Sequence, residues 1–371
     1  MYDYIRHDIF YIMLYAATTT IALLAGCYLL FRRGNAFASD IKPPERIRRW
    51  TALFFAVYAL EHIWYMPILF VDSEESIIMI DVVGCLLDSL TVFPIAIIVM
   101  LVMLQDRRRP FWPIVVIMIP IVLVNIASVV AHGYVFLTQL HIYFLLICIG
   151  LFVYMLISLR HYGRWLRDNY ADLEHKEVWQ SLVVLAIILV EFAIYPFTTR
   201  DPFYQYALLV VSAVLICYLL WRVETLSDLS MATAETATTE AEDEKDYGPS
   251  QSTLESIGTL LQQYCIDTQL FLQHDLTLHQ LAKAVGTNRF YLSQYFSIQG
   301  QTYNGYINDL RVTHFVSLYQ EAVASQRSFT AQKLAQESGF RNYNTFSSAF
   351  KRKTGLSVTA WMKEQEALST K

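Results

Sequence analysis

Seven apolar stretches occupy the first 222 residues of this 371-residue chain, near 9–31, 51–71, 77–104, 111–131, 140–160, 179–197 and 203–221. Each approaches or exceeds the roughly 20 residues that a helix needs to cross the hydrocarbon core of a bilayer. Backbone amides in that core must be satisfied within their own segment, so such stretches form helices. Together they give a chain that is 55% hydrophobic and only 16% charged, far from the balance of a soluble domain. The apolar excess stops at Trp221. The expectation is a seven-helix membrane bundle over 1–222, with its two ends on opposite sides.

The loops orient it, because the cytoplasmic side is enriched in Lys and Arg. Arg32, Arg33, Lys42, Arg46, Arg48 and Arg49 lie in one loop, Arg107, Arg108 and Arg109 in another, and Arg160, Arg164, Arg167 and Lys176 in a third. With Arg222 these make fourteen on one side, against Arg6 and Arg200 on the other, where Asp72, Glu74 and Glu75 also fall. The N-terminus is therefore expected outside and the C-terminus in the cytoplasm, in a multi-pass protein of the inner, cytoplasmic membrane. A cleaved signal peptide is the competing reading of the first run. That run is longer than a usual signal core and lacks a small-residue cleavage site, so it is read as a span. Cys27, Cys85, Cys148, Cys217 and Cys265 show no metal or redox spacing and are expected to pack as small hydrophobes.

Residues 223–250 form an expected acidic, flexible linker. Eight acidic residues lie between Glu224 and Asp246, with Lys245 the one basic residue. Such a composition stays solvated, although its first part is able to continue the seventh helix. Its negative charge would be repelled by anionic lipid and by nucleic acid alike.

Residues 251–371 carry eleven Lys and Arg against eight Asp and Glu, a local net charge of +3 in a chain of −5. Lys351, Arg352 and Lys353 are clustered where they could meet phosphates; a merely solvated face would carry the same charges. The stronger feature is a repeat. In LTLHQLAKAVGTNRFYLSQYF, Thr277 suits a helix cap, Ala282 a close helix crossing and Gly286 a left-handed turn. In FTAQKLAQESGFRNYNTFSSAF, Thr330, Ala335 and Gly339 recur at the same offsets. The following helices bury Leu292 and Phe296, or Phe346 and Phe350, at four-residue spacing. These are two helix-turn-helix signatures, Thr277–Phe296 and Thr330–Phe350. Between them Thr302–Val323 reads as one amphipathic helix of 22 residues, about 33 Å long. That is close to the DNA helical repeat of about 34 Å, so the two recognition helices could reach successive major-groove segments.

Over about 254–364 the chain resembles the AraC/XylS-type DNA-binding domain. LAQESGFRNYNTFSSAFKRKTGLS is similar to the family signature in Ala335, Gly339, Phe340, Phe346, Phe350, Lys351 and Gly355, and Tyr306–Arg311 resembles the family's linker helix. Val358 and Met362 stand where the signature usually has Pro and Arg, while Trp361 keeps its aromatic. Phe315 replaces a usual Ala in the linker helix, and Gln294 a common Arg in the first recognition helix. None of these alters the turns. Candidate DNA contacts are Arg289, Phe290, Ser293 and Gln294 in the first recognition helix, and Asn342, Asn344, Ser347, Ser348 and Lys351 in the second. Arg289 has the chemistry to read guanine, Gln294 adenine and Phe290 a thymine methyl, whereas Lys351 suits phosphate.

Ionisable residues inside spans are costly and mark functional candidates. Glu61 and His62 fall in the second span, Asp81 and Asp88 in the third and Glu191 in the sixth. Asp81 and Asp88, seven apart, share a helix face. Together these residues suit a polar cavity for a cationic or polar ligand, a proton or a metal. Interhelical hydrogen bonding is the alternative, and His62 and His141 read as packing residues.

No span contains Lys, which excludes a retinal Schiff base, and Glu61-His62 is not part of HExxH. No P-loop or kinase pattern stands out, so no enzyme activity, cofactor or metal is assigned. The fold class expected is all-α: a seven-helix transmembrane bundle, then a cytoplasmic domain of two helix-turn-helix subdomains joined by a long helix. The function expected is a one-component transcriptional regulator whose partners are duplex DNA, the lipid bilayer, a signal ligand or membrane partner, and a second copy in a homodimer. Two alternatives keep parts of this: the bundle as a passive anchor or protein-docking site, and a transporter regulated by its C-terminal domain.

Overall fold

The computed structural model describes residues 7–32, 35–37, 41–180, 183–184, 187, 202–229 and 251–369. Among them the chain is all-α: its β-type pairing is confined to an isolated antiparallel bridge between Tyr170 and Thr277. The first seven described helices are α1 (Ile9–Phe31), α2 (Glu45–Tyr65), α3 (Glu74–Leu90), α4 (Val92–Met103), α5 (Trp112–Val130), α6 (Leu137–Asn169) and α7 (Pro202–Thr225). With α3 and α4 taken as one run, six helices among the described residues are long and apolar enough to cross a membrane. The expected sixth span, 179–197, lies largely outside the described residues, and Glu191 wholly so.

The chain divides into two compact units, one of residues 1–162 with 178–230 and the other of 163–177 with 231–371. In the first unit the helix ends follow from local chemistry. Asp8 caps α1 by accepting from the Phe10 and Tyr11 amides at 3.0 and 3.3 Å, and Ser73 caps α3, whose first turn carries Glu74 and Glu75 against its positive end. The third apolar run, expected as one stretch over 77–104, is broken at Thr91 (φ −126°, ψ −71°). Pro94 explains the break, since it has no N–H for the carbonyl four residues back and its ring crowds that carbonyl. The Thr91 amide and hydroxyl both donate to Leu87 O, at 3.0 and 2.7 Å, and hold the last turn of α3.

Small residues let helices approach closely. Ala22, Ala25 and Gly26 of α1 are buried, as are Ala52 and Ala59 of α2, and a Cβ on Gly26 would stand 3.5 Å from the Ala52 carbonyl oxygen. Helix α7 is tied to α1 by the Tyr206 hydroxyl, which donates to Asp8 Oδ2 at 2.6 Å. On α5 the polarity is inverted relative to a water-soluble helix. Trp112, Val115, Ile119, Leu123, Ile126 and Val130 are exposed, while Asn125 and Ser128 are buried.

The start of the expected linker departs from a solvated tether. Helix α7 continues to Thr225, and the Glu224 side chain is fully buried, 3.1 Å from Arg48 Nε. Asn35 Nδ2 donates to Glu224 O at 2.6 Å, and Gln105 bonds both Ser227 O and the Leu229 amide at 3.0 Å. Arg48, in the first turn of α2, neutralises the acidic residue that composition alone assigned to solvent. Residues 230–250 lie outside the described residues.

Gly84 is where the bundle tolerates least: an added Cβ would meet the Tyr65 ring at 2.3 Å. Gly84→Ala is expected to displace that ring and destabilise the first unit by about 2 kcal/mol, the scale of an overpacked core. A lowered thermal midpoint of the detergent-solubilised protein checks this.

Candidate nucleic-acid interface

The second unit is built on α8 (Gln251–Leu261), α9 (Leu278–Val285), α10 (Arg289–Ile298), α11 (Tyr303–Ala324), α12 (Ala331–Glu337), α13 (Tyr343–Thr354) and α14 (Val358–Ser369). Helix α11 serves two cores. Its first half gives Tyr303 and Ile307 to a cluster with Leu261, Leu281, Ala282, Leu292 and Phe296. Its second half gives Val312, Phe315 and Tyr319 to a cluster with Leu334, Ala335, Phe340, Phe346 and Phe350. Phe315, the departure from the family's Ala, packs at 4.4 Å from Phe346 and 5.6 Å from Phe350, ring centre to ring centre.

The two helix-turn-helix copies share their local chemistry. Thr277 accepts from the Gln280 amide at 3.2 Å while the Gln280 side chain accepts from the Thr277 amide at 2.9 Å, a reciprocal cap on α9. Thr330 accepts from the Lys333 amide at 3.2 Å and caps α12. The turns place Gly286 at φ +75° and Gly339 at φ +91°, conformations that cost other residues free energy. Asn288 caps α10 and Asn342 caps α13, each accepting from a helix amide at 2.7 Å. Helix α14 begins at Val358 in place of the family's Pro, and Trp361 packs 5.4 Å from Phe350 and 5.0 Å from Tyr319.

The two cores are held in register by Arg311. Its side chain is almost fully buried, and Nε donates to Phe271 O at 2.7 Å while Nη2 donates to Gln273 O at 2.7 Å. The guanidinium stands 5.7 Å from the centre of the Phe340 ring, in the second copy. Burial pulls its pKa below the ordinary arginine value, and the charges of Asp172 and Asp275 oppose that shift. Its role was not read from the sequence, although Asn304, Asn308 and Arg311 recur at helical spacing on one face of α11.

Of the expected DNA contacts, Phe290, Asn344, Ser348 and Lys351 are exposed; Arg289, Ser293, Gln294, Asn342 and Ser347 are partly buried. Arg289 and Asn342 are already engaged by residues 163–177, the other part of this unit. Arg289 Nε donates to Asn169 Oδ1 at 3.0 Å, and Asn342 Nδ2 donates to Glu174 Oε1 at 2.6 Å. The basic cluster is split. Lys353 Nζ donates to Asp309 O and Thr313 Oγ1, and Arg352 lies 3.5 Å from Asp309 Oδ1, leaving Lys351 as the member not held against α11 in these contacts.

In the first unit the ionisable candidates of the apolar helices separate. His62 is a packing residue, with Nδ1 3.1 Å from Tyr58 O and its ring 4.5 Å from that of Tyr15. Asp88 is buried and accepts from the Tyr65 hydroxyl at 2.7 Å, while Asp81 accepts from the Tyr134 hydroxyl at 2.5 Å. Asp88 Oδ1 and Glu61 Oε2 have no hydrogen-bond partner among the described residues. His141 is partly buried on α6.

Residues 281–364 match the family model described as a helix-turn-helix domain, of the AraC type. No curated protein and no solved structure gives a significant match. The matched stretch runs from α9 to α14 and contains both recognition helices. This family points to a DNA-binding transcriptional regulator with DNA as its partner.

The two turn glycines are expected to differ. A Cβ on Gly286 meets nothing within 4 Å, whereas one on Gly339 would lie 2.8 Å from Leu272 Cα. Gly286→Ala carries only the left-handed backbone cost, roughly 1–2 kcal/mol. Gly339→Ala adds a backbone clash and should lower the thermal midpoint further.

Proposed function

We propose that this chain is a membrane-bound, one-component transcriptional regulator, with a bundle over 1–222, an acidic connection over 223–250 and a cytoplasmic DNA reader over 251–371. The observation that carries the reading is the pairing, in one polypeptide, of an AraC-type helix-turn-helix domain with six helices able to cross a bilayer. Orientation rests on the fourteen Lys and Arg of the loops on one side, which put the reader in the cytoplasm.

The recognition helices α10 and α13 enter the major groove in this reading. Phe290, Ser293, Gln294, Asn344, Ser347 and Ser348 supply groups for base edges, Arg289 and Asn342 join them from the helix starts, and Lys351 holds phosphate. In the bundle, Glu61 and Asp88 each bring an unpartnered buried oxygen. With Asp81 they form the polar centre through which a cationic or polar signal would favour one arrangement of the helices. A ligand shifts such an equilibrium only by binding the two states unequally.

The full chain in lipid nanodiscs should bind sheared genomic DNA, losing at least tenfold in affinity between about 50 and 200 mM salt as counterions return to the phosphates. Lys351→Ala should reduce the slope of that dependence by about one. Absence of binding at low salt would remove the reading. Glu61→Gln with Asp88→Asn should change the transcriptional response of cells whose membranes hold normal amounts of the protein; an unchanged response would leave the bundle as an anchor.

A further inference from the structure

Residues 163–177 belong to the DNA-reading unit, not to the helical unit that precedes them. They comprise the last turns of α6 and the turn after it. Ala171 is fully buried and part of the first helix-turn-helix core, beside Leu276 and Ile307. Its amide donates to Leu276 O at 3.2 Å, and Tyr170 pairs with Thr277 in the isolated β-bridge. From α11, Asn304 Nδ2 donates to Ala171 O at 2.7 Å and Asn308 Nδ2 to the same oxygen at 3.3 Å. Lys176 Nζ lies 3.8 Å from Asp275 Oδ1.

From that seat the segment touches the starts of both recognition helices. Asn169 accepts from Arg289, the first residue of α10, and Glu174 accepts from Asn342, the cap of α13. In helix-turn-helix proteins the N-terminal residues of the recognition helix are those that meet base edges. Glu174 also sets a carboxylate where DNA would bring phosphates, a like-charge approach that disfavours the duplex.

We propose that residues 169–174 are an internal competitor for DNA: seated, they occupy the starts of both recognition helices, and the reader takes DNA only when they leave. This deepens the regulator reading and rests on it. Helix α6 ends at Asn169, so the segment begins where that helix stops.

The test uses the full chain in nanodiscs and fluorescent sheared genomic DNA. Tyr170→Cys with Thr277→Cys joins the bridged pair, whose antiparallel spacing of about 4.5–5.5 Å suits a disulfide. Neither residue is among the DNA contacts. Oxidised, with the 170–277 crosslink shown by mass spectrometry, the protein should lose at least tenfold in DNA affinity relative to its own reduced form, and dithiothreitol should restore it. Asn169→Ala with Glu174→Ala should bind roughly tenfold tighter than the unmodified chain, the scale of two net hydrogen bonds. Equal binding by the crosslinked and reduced forms overturns the competitor, as does failure of the crosslink to form. Absence of binding by every form, the released variant included, overturns the regulator reading itself.

Discussion

The reading unit depends on one buried guanidinium. Arg311 leaves the middle of α11 and satisfies the carbonyls of Phe271 and Gln273, which belong to the approach to the first helix-turn-helix, while its plane faces Phe340 of the second. A buried charge persists only where hydrogen bonds and opposite charge replace water. Here the hydrogen-bond acceptors come from the first half, Asp172 and Asp275 add negative potential, and the second half contributes the face of Phe340. The position of one recognition helix relative to the other is thereby set by a network, not by the length of α11 alone. His274 Nδ1, 3.0 Å from Gly339 O, closes the same junction.

The first unit obeys the opposite solvent rule. Small and polar residues turn inward, as with Gly26 against Ala52 and Asn125 toward Cys85 O at 3.2 Å, while many large apolar residues, such as Trp112, Leu123 and Val130, turn outward. That is the arrangement a lipid solvent favours, because interior packing there relies on close approach and hydrogen bonds, not on the exclusion of water. The same rule accounts for the tyrosines bound to Asp81 and Asp88: a hydroxyl supplies the partner that water would otherwise provide.

Two places show the chain's polar loops acting as structural parts. Glu224 pairs with Arg48 in the first turn of α2, and its carbonyl accepts from Asn35 in the loop before that helix. Residues 163–177 pack into the reader's own core through Ala171. In both, a side chain that reads as solvated by composition is buried because a partner distant in sequence arrives to neutralise or hydrogen-bond it.

Local pattern determined much of this protein. The Thr, Ala and Gly offsets of the two copies, the 22-residue α11 and the placement of most apolar helices follow from capping, turn conformation and periodicity, each set by residues within a few positions of one another. Even the break at Thr91 had a local mark in Pro94, and so was legible though not read. Tertiary structure alone decided the rest. That Arg311 joins two cores, that Glu224 is buried, and that Arg289 and Asn342 meet Asn169 and Glu174 are pairings across 29 to 176 residues. Periodicity carries no information about such pairings, because the free energy that selects them exists only once distant segments have met and water has been displaced.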